Sequence, residues 1–414
     1  MIDGIMAVFV FVVAMVISGL VYPVALDYAK LHNIVDNPDA RKLQRVPVPV
    51  LGGLVVYMGI LCGCLVIQSF VNESYIWWGL MGMTVMLVIG MWDDMKMLSA
   101  KLRFLIEVLL VGAFMWQTGI YFDDLHGLWG IHQLDPWVAI ASSLVLGVGL
   151  INVMNLIDGV DGYSSGYGML ASVCFVMLFW SVWNNVLVSM ALITVGALLP
   201  FFMHNVFGIR SKMFIGDGGT LMLGMLMTLF VFYSLSSRGR CAMLESEGVG
   251  LVALGFAIIS IPWFDTMRVS FMRILRGKSP FRPDKTHMHH LFIDMGFSHL
   301  GAAFSILLMN LSVVLVWLVL WYLGASIEVQ TYVVIGMSFL LTFGFYWLMK
   351  RQQNSGPRDE EGYPQGTALW HWFCHLGDLS HREKGPVWRI FRWLMDNRSF
   401  SRYYVRFFRR LSKR

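Results

Sequence analysis

From residue 4 to about residue 349 the chain is built of long apolar runs separated by short polar turns. The runs fall near 4–27, 51–71, 75–92, 103–118, 137–156, 167–184, 186–207, 219–236, 248–267, 299–323 and 330–349. Each is close to the ~20 residues that a helix needs to cross ~30 Å of hydrocarbon. The pattern therefore predicts an all-α polytopic membrane protein, a bundle of about eleven transmembrane helices. An odd number of crossings puts the two termini on opposite sides. A transmembrane region of residues 1–349 and a polar tail of residues 350–414 follow. The first run is long, lacks a basic segment before it and leads into a charged loop, so no cleavable signal peptide is expected.

Composition supports this and excludes a soluble globular chain. Of 414 residues, 57% are hydrophobic and 14% charged, with a mean hydropathy of +0.64; soluble domains carry about a quarter charged residues. Cys62, Cys64, Cys174, Cys241 and Cys374 sit mostly within apolar runs and lack zinc spacing, so they read as packing residues. The net charge of +5 matters less than its placement. Of the 31 Lys and Arg, 29 lie in the segments after runs 1, 3, 5, 7, 9 and 11, and only Arg238 and Arg240 lie elsewhere. Basic residues gather on the cytoplasmic side. That face is therefore expected to be cytoplasmic, with the N-terminus outside and the C-terminus inside. Without the tail the split is still 15 to 2.

The polar motifs obey the same parity. In GMWDDMKMLSAKLRF, Asp93 and Asp94 are adjacent where run 3 ends; two anions side by side call for a cation or a proton, or form a solvated turn balanced by Lys96, Lys101 and Arg103. In NVMNLIDGVDG, Asp158 and Asp161 would share a face if the helix continued. The amide and carboxylate oxygens there suit Mg²⁺, which takes one or two carboxylates plus substrate phosphates. The alternative, a helix C-cap with turn residues, accounts less well for the repeated DG and the paired Asn. In KMFIGDGGTLMLG, Asp217 sits in a glycine-flanked turn before run 8, where it serves as an N-cap or holds the metal of a phosphate bound to free N–H groups. RILRGKSPFRPDKTHMHHLF brings His287, His289 and His290 beside Arg and Lys; no Glu or Cys completes a zinc set, and a phosphate pocket accounts for the histidines better than a merely basic loop. In DNPDARKLQRVPVPVLGG, Arg41 and Lys42 would guide an anionic headgroup or nucleotide, or simply set topology. Asp265, near Pro262 and Arg268, reads as a structural ion pair. The acids and histidines of several separate turns thus belong to one face of the membrane.

Taken in order, DNPxxRK…PxxGG, DDxxxLSxxxR, NxxNxxDGxDG, FxGDxG and SPxxxDxxHxHH resemble the polyprenyl-phosphate N-acetylhexosamine-1-phosphate transferases, over residues 36 to 290. The HMHH form is similar to the branch that starts surface polysaccharide chains, whereas the phospho-muramoyl-pentapeptide transferases usually carry consecutive histidines. The resemblance implies a ten- or eleven-helix bundle, commonly a homodimer, in the bacterial inner membrane with its site open to the cytoplasm. It implies Mg²⁺-dependent (or Mn²⁺-dependent) transfer of a sugar 1-phosphate from a UDP-N-acetylhexosamine to undecaprenyl phosphate, with release of UMP. By the same resemblance Asp93 and Asp94 are the catalytic pair. Asp217 is the main metal ligand, with Asn155 and Asp158 as helpers. Asp161, Asn205 and Phe214 hold the uridine, Phe214 by stacking, while His287, His289 and His290 contact the diphosphate. Gln44 stands where His is frequent, Tyr163 where Leu is usual and Thr220 where Ser is usual; these bear on substrate identity more than on activity.

Phosphoryl transfer demands charge neutralisation and in-line positioning rather than covalent work by the protein, so a polar site at the interface suits a lipid acceptor and a soluble nucleotide. The tail GPVWRIFRWLMDNRSFSRYYVRFFRRLSKR interleaves aromatics with arginine, as an amphipathic helix on anionic membrane lipid would. No nucleic-acid partner is expected. The rival class, a cation-coupled transporter, should carry its charges at mid-bilayer and two related halves; here the acids cluster at one interface and no internal repeat is visible.

Overall fold

The computed structural model describes residues 4–37, 46–71, 73–277, 279, 286–357, 365–381 and 386–396. Arg41 and Lys42 lie outside the described residues, as does the tail beyond residue 396. The long helices are α1 (Gly4–Leu31), α2 (Gly52–Gln68), α3 (Ser74–Lys96), α4 (Ala100–Thr118), α5 (Pro136–Leu156), α6 (Tyr163–Ser181), α7 (Asn185–Phe207), α8 (Gly216–Leu235), α9 (Leu251–Leu275) and α11 (His299–Tyr322). Helices α12 (Ile327–Phe339) and α13 (Phe345–Gln353) continue one another through a wider π turn at Leu340–Gly344. Short helix α10 (Met288–Asp294) precedes α11, and α14 (Ala368–Ser380) and α15 (Pro386–Asp396) follow α13.

Every predicted run is thus a helix, and the chain is an all-α polytopic membrane protein. Among the described residues nine helical rods are long and apolar enough to span a bilayer. Of the remaining two, α2 has 17 residues and α4 carries Lys101, Arg103 and Glu107. Polar side chains start the rods where the pattern breaks: Ser99, Asp135, Asn184, Ser298 and Ser326 each accept a hydrogen bond from a backbone N–H in the first turn that follows.

Several helix ends differ from the predicted runs, and three of these differences bear on the polar end of the bundle. Helix α9 runs on to Leu275 because Arg268 and Arg273 are buried against protein rather than leaving for water. Helix α6 begins at Tyr163, directly after Gly162 at φ +80°. Helix α8 begins at Gly216, so Asp217 lies in its first turn rather than before it.

Helix α8 is enclosed along its whole length, which explains why it is apolar on every side. Helices α2, α3 and α5 surround it, while α1 packs on α2 and α7, and α9 packs on α11 and α12. Lipid is as apolar as a leucine face, so such packing relies on close backbone approach at small residues. A Cβ on Gly90 of α3 would stand 2.4 Å from the Asp217 carbonyl carbon and the Gly218 Cα; one on Gly53 of α2 would stand 2.3 Å from the Gly219 nitrogen. Buried backbone breaks are repaired by side chains. Pro262 removes the N–H that Ile258 O would accept, and Asn310 Nδ2 (3.0 Å) and Tyr167 Oη (3.2 Å) donate to that carbonyl instead.

Candidate active site

After α1 the chain forms a small antiparallel ribbon, β1 (Val35–Asp36) with β2 (Val48–Pro49). From β2 it leads into α2, laying its backbone against the segment before α8: Phe214 N donates to Pro49 O (2.8 Å), Gly52 N to Phe214 O (2.9 Å) and Gly53 N to Ile215 O (2.8 Å). The α3 C-terminus, the α5–α6 turn, the start of α8 and the start of α11 reach the same end of the bundle. They enclose a cavity of about 620 Å³ lined by Asp36, Asp93, Asp94, Asp158, Asp161 and Asp217, together with Asn205, Lys212, Phe214, His290 and His299.

Asp93 and Asp94 occupy the last turn of α3 and face different partners. Asp93 accepts from Leu98 N (2.6 Å) and pairs with Arg103 of α4 (3.1 Å). Asp94 accepts from the backbone N–H groups of Asp217 (3.1 Å) and Gly218 (3.4 Å). The cap of α8 is therefore a carboxylate from another helix, and Asp217 is not the N-cap: the residue preceding the helix is Ile215, without a capping side chain. Gly216, at φ +71°, makes the turn beside Asp94. This leaves the Asp217 carboxylate to the cavity. Its Oδ1 accepts from Asn155 Nδ2 (2.8 Å), and its Oδ2 lies 3.8 Å from Arg103. Arg103 is itself backed by fully buried Glu107 (3.6 Å), which accepts from Asn152 Nδ2 (2.5 Å).

Helix α5 ends at Leu156, so Asp158 and Asp161 do not share a helical face; they sit in a turn and diverge. Asp158 accepts from Ser164 Oγ (2.6 Å). Burial pushes its carboxyl up to about 7 against that hydroxyl, with Asp217, Asp161 and Asp36 adding to the rise. Asp161 is buried too, but His299 (2.8 Å) and Lys212 (2.5 Å) outweigh burial and hold it below the usual carboxylate range. Two carboxylates three residues apart thus take opposite characters. Asn205 ties this turn to the α7–α8 loop, accepting from Gly162 N (2.8 Å) and donating to Met213 O (3.0 Å). Lys212 Nζ lies 5.6 Å from the Phe214 ring centre.

The three histidines part company. His290 lines the cavity. His287 turns away to Asp265 (2.9 Å), which also holds Arg268 (2.6 Å), the ion pair expected there. His289 lies between them, its ring 5.7 Å from that of His287 and 4.4 Å from that of His290; burial, then the neighbouring imidazoles, push its pKa far down, so it is neutral. Arg103, Lys212 and His299 were not singled out from sequence. Arg103 does close the DDxxxLSxxxR motif, and Lys212 precedes Phe214 by two; His299 carries no signal in the sequence.

Among the described residues no three His, Cys, Asp or Glu side chains stand close enough to cage a metal unaided. Carboxylates of Asp217 and Asp158 on an open cavity, with Asn155 bonded to Asp217, fit Mg²⁺ nonetheless, because that ion keeps waters and takes substrate phosphates as ligands.

The family model described as glycosyl transferase family 4 matches residues 76–235, a stretch that holds Asp93, Asp94, Asn155, Asp158, Asp161, Asn205, Phe214 and Asp217. The "Probable undecaprenyl-phosphate N-acetylglucosaminyl 1-phosphate transferase" of Bacillus subtilis is 28% identical over 321 residues, 75% of this chain and 86% of that protein. The undecaprenyl-phosphate alpha-N-acetylglucosaminyl 1-phosphate transferase of Escherichia coli K12 is 29% identical over 275 residues, 65% of this chain and 72% of that one. Its namesake from Yersinia pestis is 26% identical over 273 residues, 64% and 71% respectively. Its motifs in family order, the family model over residues 76–235 and relatives that span most of its length together support the polyprenyl-phosphate N-acetylhexosamine-1-phosphate transferase family as the one this chain is similar to.

Proposed function

We propose that the protein transfers N-acetylglucosamine 1-phosphate from UDP-N-acetylglucosamine to undecaprenyl phosphate, releasing UMP and starting a cell-surface polysaccharide at the cytoplasmic face of the bacterial inner membrane. The observation that carries this reading is the meeting of carboxylates from α3, the α5–α6 turn and α8 in one cavity at the end of the bundle where nearly all the described basic residues lie. The names of the bacterial relatives support the lipid acceptor.

In this scheme an oxygen of the lipid phosphate attacks the phosphorus that bears the sugar. The new P–O bond forms as the bridging bond to UMP breaks, and UMP leaves with the electron pair. Asp217, with Asn155 and Asp158 beside it, would hold Mg²⁺, which would neutralise the diphosphate charge. Arg103, between Asp93 and Asp217, offers a fixed cation to the phosphates; Asp93 orients the acceptor, and Asp94 keeps the α8 turn in place. Lys212 and Phe214 form the uridine side, the ring giving a stacking face. His290 is the histidine poised for the diphosphate, while His287 and His289 hold its helix in position.

Purified protein with undecaprenyl phosphate, Mg²⁺ and a panel of UDP-sugars tests the proposal. Lipid-dependent UMP release, fastest with UDP-N-acetylglucosamine, is expected; release that ignores the lipid defeats it. Asp217→Ala should lower turnover by roughly 10²–10³-fold, and near-normal turnover would remove Asp217 from the metal site.

A further inference from the structure

The tail helix α15 returns to the bundle and ends on the loop that leads to Phe214. Asp396, its last residue, meets three successive backbone N–H groups with one oxygen: Oδ1 accepts from Ile209 (3.1 Å), Arg210 (3.0 Å) and Ser211 (3.1 Å), and from Ser211 Oγ (3.1 Å). Oδ2 adds a second contact to Ile209 N (3.2 Å). Consecutive N–H groups turned to one point form an anion-binding nest, and here the anion belongs to the chain itself, 185 residues further on. The opposite edge of the loop is held by α1: Tyr22 Oη donates to Ser211 O (2.8 Å) and Lys30 Nζ to Arg210 O (2.8 Å). Helix α15 is anchored by Trp388 and Phe391, whose rings lie 4.7 and 5.2 Å from Phe207 at the end of α7.

We infer that Asp396 is a positioning residue for the donor nucleotide: by gathering the 209–211 backbone it fixes where Lys212 and Phe214 enter the cavity. The inference rests on the proposed function for its assignment of Lys212 and Phe214 to the uridine side. The loop 208–215 joins two buried helices, and Lys212 follows the nest directly. Its ammonium reaches Asp161, and the Phe214 backbone bonds β2 and Gly52, so a shift of Ser211 is passed on to both. The acceptor side, Asp93 with Arg103, lies on α3 and α4 and does not depend on this loop.

Asp396→Ala and Asp396→Asn in the full-length protein test the inference through separate titrations of UDP-N-acetylglucosamine and undecaprenyl phosphate. For Asp396→Ala the donor KM should rise about tenfold, with kcat within about threefold and the lipid KM unchanged. Asp396→Asn, which keeps one acceptor oxygen, should fall between. An unchanged donor KM, or a proportional loss of kcat and both KM values, overturns the inference. If the alanine variant does not accumulate, the isosteric asparagine variant carries the same comparison. Hydrogen exchange of the 209–211 amides should be faster in either variant whatever the substrate; unchanged exchange also overturns the inference. Wild-type protein that gives no lipid-dependent UMP release strikes the proposed function instead, and the amide exchange then judges Asp396 alone.

Discussion

Arg103 shows how one side chain sets the charge balance of the cavity. Its guanidinium lies 3.1 Å from Asp93 and 3.8 Å from Asp217, and Glu107 and Asn152 brace it from below. Arg103→Ala leaves two carboxylates facing each other without that cation and should lower kcat about 10²-fold. Arg103→Lys restores a charge but not the planar fork, so it should recover only part of the loss; lipid-dependent UMP release measures both. Asp158 gives a pH signature. Its carboxyl, pushed up to about 7, takes a proton below that pH and is an anion above it. Since a metal needs the anion, apparent Mg²⁺ affinity should strengthen from pH ~6 to ~8, and Asp158→Asn should flatten that dependence in Mg²⁺ titrations of activity. The aspartates were legible because each lies in a dense polar motif at the end of an apolar run. The cations Arg103 and Lys212 were not, because single basic residues are ordinary in cytoplasmic loops and only the folded chain shows which of them faces an acid. The split of the histidines rested on Asp265, one helix away, which claims His287.

At the scale of elements, α8 is the piece on which the others are assembled, and its first turn also presents Asp217 to the cavity. Helix α3 comes close enough for Asp94 to cap that turn because Gly90 has no side chain. Gly90→Val would meet backbone rather than a movable side chain. It should destabilise the bundle by about 1–3 kcal/mol or more and separate Asp94 from α8, abolishing activity. Gly336→Val in α12, where a Cβ meets nothing within 4 Å, is the control and should behave like wild type. Thermal unfolding in detergent, read beside activity, separates the two. Every rod was legible because bilayer thickness imposes a length on each apolar run. Their ends were less so. Helix α9 continues past residue 267 only because Arg268 finds Asp265 and lies 3.7 Å from the Tyr346 ring centre. The same holds for the turn after α5: whether Asp158 and Asp161 share a face depends on where the helix stops, and spacing does not reveal that.

For the whole molecule, the decisive asymmetry among the described residues is that one end of the bundle holds the cavity and nearly every Lys and Arg, while the other holds the start of α1 and the short connections around residues 69–71, 119–135, 182–184, 236–250 and 323–326. A UDP-sugar is a cytosolic nucleotide, so the proposed reaction requires the cavity end to face the cytoplasm, as the basic bias also implies. These are independent arguments, one from substrate supply and one from charge, and they fail together if the orientation is reversed. The chain carries the means to check it. Cys374, a free thiol on half-exposed α14, lies on the cavity side, where Ser380 of the same helix accepts a hydrogen bond from Ser298 N. Met243, 57% exposed, lies in the connection between α8 and α9 at the opposite end. With the other cysteines replaced, Met243→Cys should react with a membrane-impermeant maleimide in intact cells, whereas Cys374 should react only after the inner membrane is permeabilised. The reverse pattern would place the acids outside, away from any cytosolic UDP-sugar, and the transfer reaction could not run in that orientation.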